Sequence, residues 1–319
     1  MVTIFIKVLI VFAFVLIGYV AAKRNWLPAD SVKYLSSLVV NIASPALIFA
    51  TLVKQAQSGV PGTFTFACMG FGAMGLTLGF LVSLVYLKTA KIDRPDQRGV
   101  FKNFFIFTNA GFMGYPIAFA IFGENGLLII VLANMPQLIG MYTLAIAMVK
   151  KRDPKESKGA YDSLKRFAKS VWTMPVMSII VCLAVYFTRI PIPETVLSIA
   201  EQVGSILTPV AMMIIGIQLS NSRVKEWLAN RKVVGMCILR LMLIPAAMYF
   251  ILIPFHPTPL MHAVIVFEFM LPCAAVPVAL AEQYDGDGKI AAEGTFLSTL
   301  LSMATVPVGC LILQSLLGV

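Results

Sequence analysis

Two stretches that disfavour a continuous helix stand inside apolar segments of this sequence: FTNAGFMGYP at 107–116 and LPCAAVP at 271–277. A proline inside a helix removes one backbone hydrogen bond and clashes with the preceding turn. Lipid cannot satisfy the carbonyl group that this frees, so the break persists only where the backbone is buried in protein or lines a wet cavity. The two stretches therefore predict a polar cavity within a bundle of membrane helices, although a pair of structural kinks is the simpler alternative.

The composition is that of a membrane protein. Of the 319 residues, 59% are hydrophobic and 13% are charged, whereas soluble domains carry roughly 25% charged residues. The apolar residues come in runs of about 20, the length of helix that crosses a hydrocarbon layer of ~30 Å. The alternation typical of barrel strands is absent. We therefore expect an all-α protein in a lipid bilayer and, despite a net charge of +10, no nucleic-acid partner.

The apolar runs predict ten transmembrane helices, which we number as spans 1 to 10. Cytoplasmic loops carry the excess of Lys and Arg, and most of the 25 such residues follow the odd-numbered spans. Both termini are therefore expected outside the cytoplasm, with the basic loop 150–170 inside and the protein in the bacterial inner membrane. The predicted spans cover residues 3–22, 32–53, 64–88, 103–122, 126–149, 171–188, 197–219, 233–255, 260–283 and 291–317.

Five predicted spans lie on each side of the basic loop, so the halves 1–149 and 171–319 have opposite orientations. The sequence GYPIA in span 4 matches AVPVA in span 9, and SPA in span 2 matches TPV in span 7. Matching breaks at corresponding positions are typical of the inverted repeats of transporters. We therefore expect a 5+5 inverted repeat in which the broken helices of spans 4 and 9 cross.

The breaks predict a binding site for an anion. The first N–H groups of a helix have no intrahelical partner and carry a partial positive charge, which attracts carboxylates. An amide in a membrane helix can bond the solute or a neighbouring helix; we favour the solute for Asn109 and leave both alternatives open for the other amides. The candidate solute-binding residues are Asn109, Gly111, Gly114, Tyr115, Pro116, Ala275, Val276, Pro277, Asn41, Asn134 and Gln137.

Two charged residues lie deep inside predicted spans, Arg240 in span 8 and Glu268 in span 9. Each is roughly 12 Å from the nearer end of its span at ~1.5 Å per residue. Charges at such depth face the protein interior or mark a functional site. Three interpretations are open: a structural ion pair, an anion-attracting arginine beside a proton-carrying glutamate, or an arginine that snorkels without meeting the glutamate.

No motif supports catalysis. The GxGxxG pattern at 70–75 lies inside span 3, without a preceding strand or a following acidic residue, so nucleotide binding is not expected. The five cysteines lie in apolar runs without metal-ligand spacing, and neither HExxH nor GxSxG occurs. We expect no enzyme, no cofactor and no metal site.

The stretch at 107–116 resembles the Asn-x-Gly-Phe-x-Gly-x-Pro signature of the auxin efflux carrier family. Residues 41–49 and 208–219 resemble the family's patterns in spans 2 and 7, and the similarity runs through the whole chain. Bacterial members include carriers assigned to malonate and malate, and plant members include the PIN auxin exporters. The resemblance implies the bile-acid/sodium symporter-like fold, with substrate bound at the crossing of spans 4 and 9, so that Asn109 and Pro116 carry over as site positions.

The resemblance also implies a mechanism. Spans 1, 2, 6 and 7 would form a scaffold, spans 3–5 and 8–10 a moving transport domain, and access would alternate by an elevator motion in a homodimer joined through the scaffold. Plant members have an Asn-Pro pair in both broken helices, whereas Val276 precedes Pro277 here, and their long cytoplasmic loop is absent. Auxin is therefore not expected as the substrate.

These observations together predict a secondary active transporter or uniporter for a small organic anion, a mono- or dicarboxylate. Two alternatives remain open. An anion channel would need a continuous polar pore, which the few polar residues inside the spans disfavour. A membrane sensor or receptor that transports nothing would need a cytoplasmic output surface, for which 150–170 is the largest candidate.

Overall fold

A computed structural model describes residues 2–28, 30–57, 62–149, 190–220, 224–274 and 286–318, together with seven isolated positions between 177 and 188. These residues are mostly helical, and the β pairing among them is a single bridge between Thr108 and Cys273. The α-helices in chain order are α1 (Val2–Lys23), α2 (Ser31–Leu38), α3 (Ser44–Gln57), α4 (Gly62–Thr89), α5 (Pro95–Ile106), α6 (Tyr115–Ala133), α7 (Met135–Val149), α8 (Glu194–Ser205), α9 (Leu207–Ser220), α10 (Val224–Ala229), α11 (Arg231–Ile238), α12 (Ile244–Leu252), α13 (Pro259–Met270) and α14 (Gly288–Leu317).

Six helical stretches of the described residues are long and apolar enough to cross a membrane. The all-helical, multi-pass prediction is confirmed at this level. The number ten and the repeat stay predictions, because residues 275–285, the basic loop 150–170 and most of 171–188 lie outside the described residues. The six stretches are Ser31–Lys54, Gly62–Thr89, Ala110–Ala133, Glu194–Ser220, Arg231–Phe255 and Gly288–Leu317.

Helix α6 contains a sharp turn at Gly123, whose φ of 72° and ψ of −162° are not helical. A Cβ atom on Gly126 would lie 3.4 Å from the carbonyl oxygen of Ala118, whereas eight residues of an unbroken helix extend ~12 Å. The chain therefore turns back at Gly123, where glycine adopts a positive φ without a steric penalty. This turn falls between the predicted spans 103–122 and 126–149.

Three π-helical turns interrupt the long helices, and each ends two residues before a proline. In each turn, the N–H of the next residue bonds the carbonyl five positions earlier. A proline ring clashes with the carbonyl four residues before it, and a widened turn relieves this clash. The prolines thus stand at the start of a new helical segment. The three turns are Val39–Ala43, Ala110–Gly114 and Leu239–Leu243.

Helices α1 and α9 pack with their backbones in contact. A Cβ atom on Gly18 would lie 2.2 Å from the Met213 carbonyl oxygen, and one on Gly216 would lie 2.0 Å from the Val15 carbonyl oxygen. Small residues allow membrane helices to approach this closely. Gly204 of α8 meets the backbone of α3 in the same way, so α1, α3, α8 and α9 form one packed group.

A second group contains the helices around the predicted breaks. Glycines of α4 and α5 bring helices together, because a Cβ atom on Gly72, Gly79 or Gly99 would lie within 2.3 Å of a backbone oxygen of α6, α5 or α7, respectively. Helix α13 packs against α6, α12 and α14. The phenylalanines buried in the interior belong to this group, among them Phe101 and Phe267. The turn Ala110–Gly114 contacts the first group at α9 and at Val39–Ala43.

Candidate functional site

Helices α5 and α13 each give way to a short extended segment, residues 107–109 and 271–274, and the two segments run antiparallel past one another. Two backbone hydrogen bonds of 2.9 and 3.0 Å join them, the first from the Asn109 N–H to the Pro272 carbonyl. We call this pairing the crossover. Both helices therefore end at the predicted positions, and the extended segments that follow them cross. The candidates Ala275, Val276 and Pro277 lie outside the described residues.

Gln137 of α7 completes the hydrogen bonding of the first segment. Its Oε1 accepts a hydrogen bond from the backbone N–H of Thr108 at 3.0 Å, and its Nε2 donates to the Thr108 carbonyl at 3.0 Å. The hydroxyl of Thr108 bonds the same amide. Because both residues are buried, the amide takes the place that a third strand would occupy and satisfies groups that lipid could not. The candidate Gln137 thus lies beside the first crossover segment, and its amide is hydrogen-bonded to the backbone of Thr108.

Helix α14 completes the second segment in the same manner. The Ser298 Oγ accepts a hydrogen bond from the Cys273 N–H at 3.1 Å, and the Thr295 hydroxyl donates to the Ala274 carbonyl at 3.4 Å. Neither α14 residue is among the candidates from sequence. The signal that could have identified them is a row of hydroxyl residues on an apolar helix: Thr295, Ser298, Thr299 and Ser302.

Asn109 stands where the first segment turns into the second half-helix. Its carbonyl accepts hydrogen bonds from the N–H groups of Met113 and Gly114, both at 3.1 Å. The N–H groups of residues 110–112 precede these first helical bonds and have no intrahelical partner. Within the part of the chain that the structure describes, the side-chain amide of Asn109 makes no hydrogen bond. Donors of this kind at a helix N-terminus can bind an anion.

The two candidate glycines have different surroundings. Gly111 is exposed, and a Cβ atom there would meet no atom of the described residues within 4 Å, so these residues leave open space in front of the half-helix N-terminus. Gly114 is buried, and a Cβ atom there would lie 2.6 Å from the side chain of Leu271. Gly111 therefore leaves room for a solute, whereas Gly114 lets the two segments approach each other.

The remaining polar candidates surround the turn Ala110–Gly114. Asn134 donates a hydrogen bond of 2.7 Å to the hydroxyl of buried Tyr115, and Pro116 lies in the first turn of α6. Asn41 is exposed and donates to the Ser37 hydroxyl at 3.0 Å, within a turn that packs against Ala110–Gly114. The structure therefore gathers the described candidates around one half-helix N-terminus, with Asn134 behind it.

Arg240 and Glu268 lie in the interior, with exposed fractions of 0% and 1%. The Nη1 of Arg240 donates to the Phe269 carbonyl at 3.3 Å. Its Nε and Nη2 have no partner among the described residues, nor has the Oε2 of Glu268. The two side chains interact electrostatically, yet no nitrogen–oxygen distance between them is within the 4.0 Å of a salt bridge.

Comparisons with known proteins agree with this architecture. Residues 3–309 match a family model described as a membrane transport protein. The chain is 26% identical to an uncharacterized transporter of Methanocaldococcus jannaschii, over 94% of this chain and 95% of that one. It is 23% identical to a "Putative malonate transporter" of Rhizobium meliloti, over 92% and 91% of the two chains. This protein therefore belongs to the membrane transport protein family of the auxin efflux carriers.

Proposed function

We propose that this protein carries a small organic anion, a mono- or dicarboxylate, across the cell membrane and binds it at the crossover. The observation that carries this proposal is the half-helix N-terminus at residues 110–112, which faces open space at Gly111. The side-chain amide of Asn109, which makes no hydrogen bond to the described residues, adds a donor beside it. The positive end of a helix favours carboxylates, and the name of the Rhizobium meliloti relative points to the same class of solute.

The described residues of the proposed site, which are the crossover and the following turn (107–114 and 271–274), include no charged side chain. Backbone N–H groups and an amide would hold a carboxylate by hydrogen bonds and partial charges alone. Release on the far side then requires no fixed ion pair to break. This arrangement favours turnover, because the solute of a carrier has to leave the site in every cycle.

We propose elevator-type alternating access for the movement of the solute. Helices α1, α3, α8 and α9 would form the scaffold together with predicted span 6, and the second packed group would move with the crossover. Close glycine contacts join helices inside each group, which supports two bodies that each move as a unit. The exposed apolar side chains of α1, such as Leu16 and Ile17, suit contact with lipid or with a second copy in a homodimer.

The proposed orientation places both termini outside and the loop 150–170 in the cytoplasm of a cell whose inner membrane holds the protein. With a negative interior, an uncoupled anion is driven outwards by ~2.3 kcal/mol per charge per 100 mV. Uptake would therefore need a coupled cation, whereas export would not.

The test is uptake of radiolabelled malonate by the full chain in liposomes, alongside other mono- and dicarboxylates and with pH, sodium or voltage gradients. Asn109→Ala should lower the initial rate roughly tenfold or more, since a hydrogen bond to a charged group contributes about 1.5–3 kcal/mol. Folding should be unchanged, because the amide has no partner among the residues that the structure describes.

The matched control is Asn25→Gly. Asn25 is exposed with a φ of 56°, a conformation that glycine adopts freely, so this variant should transport like the wild type. Full transport by Asn109→Ala would refute the site. A wild-type protein that moves no carboxylate under any gradient would refute the function.

A further inference from the structure

The guanidinium of Arg240 has its carboxylate-binding edge unoccupied. The Nε and Nη2 groups lie on one side of a guanidinium and together bind a carboxylate through two parallel hydrogen bonds. Both lack a partner among the described residues, whereas Nη1 is held by the Phe269 carbonyl at 3.3 Å. The side chain is thus fixed at one corner and free along the edge that recognises a carboxylate.

The carboxyl group of Glu268 also has an oxygen that lacks a hydrogen-bond partner among the described residues. Its Oε2 is buried without a hydrogen-bond partner in the described part of the chain. An ionised carboxylate in the interior is costly unless a cation contacts it and hydrogen bonds satisfy its oxygens. Arg240 interacts with it electrostatically, but no nitrogen–oxygen distance between the two side chains is short enough for a salt bridge. The observed arrangement therefore suits a neutral, protonated carboxyl group.

Among the described residues, the other elements packed against α13 bring no second cation to Glu268. Tyr115 of α6 and Cys68 of α4 interact with it electrostatically, and both are neutral when protonated. Helix α12 has no charged residue, and Glu293 of α14 bonds Asn230 elsewhere. His262 on α13 itself bonds the Tyr249 carbonyl. Arg240 is thus the cation that faces Glu268 among the described residues.

We propose that Glu268 is a proton-binding site and that its deprotonated form closes onto Arg240. With the proton bound, the carboxyl group stands apart from the guanidinium, as observed. When the proton leaves to water, the resulting carboxylate forms a bidentate salt bridge with Nε and Nη2. When a proton returns, the salt bridge opens and the observed arrangement is restored.

The position of the pair links protonation of Glu268 to the proposed solute site at the crossover. Glu268 lies three residues before Leu271, the first residue of the second crossover segment, and Arg240 is bonded to the intervening Phe269. Movement of the carboxyl group towards Arg240 would displace the end of α13, from which residues 271–274 extend to the crossover. The proton site itself does not depend on the identity of the solute; its use for coupling rests on the proposed transport function.

The site is tested by infrared spectroscopy of the purified full chain, titrated from acid to alkaline pH without solute. The wild type should show the carbonyl band of a protonated carboxyl group that disappears as the pH rises. Glu268→Gln should lack this band and still fold, because glutamine is similar in shape to the protonated side chain. Glu293→Gln is the matched control and should retain the band.

Arg240→Lys sharpens the test. An ammonium group cannot form the two parallel bonds of a guanidinium, so the band should persist to higher pH in this variant. The proposal is overturned if Glu268→Gln leaves the titrating band intact, or if the wild-type band persists through the whole pH range.

Coupling is measured with a pH-sensitive dye trapped in liposomes during malonate uptake. The wild type should move protons together with malonate, and Glu268→Gln should lose the proton signal. Malonate uptake without any proton signal in the wild type would overturn the coupling. An infrared band that titrates as expected, in a protein that moves no carboxylate, would support the proton site while refuting the proposed function.

Discussion

The crossover and the Arg240–Glu268 pair meet at the end of α13, yet their buried polar groups are satisfied to different degrees. At the crossover, the backbone of Thr108 and the N–H of Cys273 are satisfied by side chains from other helices. At the charged pair, three buried polar atoms have no partner within the described residues. An unsatisfied buried group costs about 1–3 kcal/mol. The difference indicates that the crossover is built to keep one arrangement, whereas the charged pair is built to change its partners.

Gln137→Leu should have the largest effect on stability. It would leave the N–H and the carbonyl of Thr108 buried without a partner, at a cost of about 1–3 kcal/mol each. We expect the free energy of unfolding in mixed micelles to fall by about 2–6 kcal/mol on this basis. Gln202→Leu is the control, because Gln202 is exposed and bonds Ser198 on the surface. Equal decreases in the free energy of unfolding in the two variants would show that the hydrogen bonds of Gln137 do not stabilise the crossover.

Ser298→Ala removes one partner instead of two. The Cys273 N–H loses its acceptor, so unfolding should become easier by about 1–3 kcal/mol, measured in the same way. Ser205→Ala deletes a hydroxyl that bonds the Gln202 carbonyl at 2.7 Å on the surface, and it should change the stability little. An unchanged stability in Ser298→Ala would mean that water or a rearranged neighbour satisfies this N–H.

The double variant Arg240→Met, Glu268→Gln tests whether the charged pair contributes to stability. Because both groups retain unpartnered atoms, replacing them should leave the free energy of unfolding within ~1 kcal/mol of the wild type or raise it. Each single variant provides the reference for coupling between the two sites. A loss of several kcal/mol in the double variant would instead identify the pair as a structural ion pair.

Gly111→Leu should have the smallest effect on stability and still abolish transport. A Cβ atom at Gly111 meets no atom of the described part of the chain within 4 Å, so the larger side chain should fill the space of the proposed site. We expect unfolding within ~0.5 kcal/mol of the wild type, as for ordinary surface changes, and no malonate uptake. Gly70→Leu is the control, since a Cβ atom on Gly70 also meets nothing within 4 Å. Normal uptake by Gly111→Leu would show that the solute does not bind at this position.

The sequence predicted where helices cannot continue, because proline and glycine act on the adjacent backbone. It did not predict the form of the breaks. Pro116 follows the π turn Ala110–Gly114, whose widened geometry relieves the clash of the proline ring, and the extended segment precedes it by several residues. Pairing of residues 107–109 with 271–274 depends on the packing of distant helices, which no local pattern encodes.

The sequence also could not predict which groups the polar side chains bond. The hydropathy pattern placed Arg240 and Glu268 deep in the membrane, and both are buried, but the gap between them depends on rotamers and on the Phe269 carbonyl. For Gln137 the sequence left two alternatives, and the structure places its amide on Thr108. An amide has the same donor and acceptor pair as a peptide group, so its role becomes evident only beside an unpaired backbone.

The contact between α1 and α9 has a consequence for how this protein can move. Because the two backbones touch at Gly18 and Gly216, sliding one helix along the other would drive a carbonyl oxygen into an α-carbon. The two helices must therefore behave as one rigid body. Spin labels placed on them should report a single, narrow distance distribution under every ionic condition, however far the rest of the molecule travels.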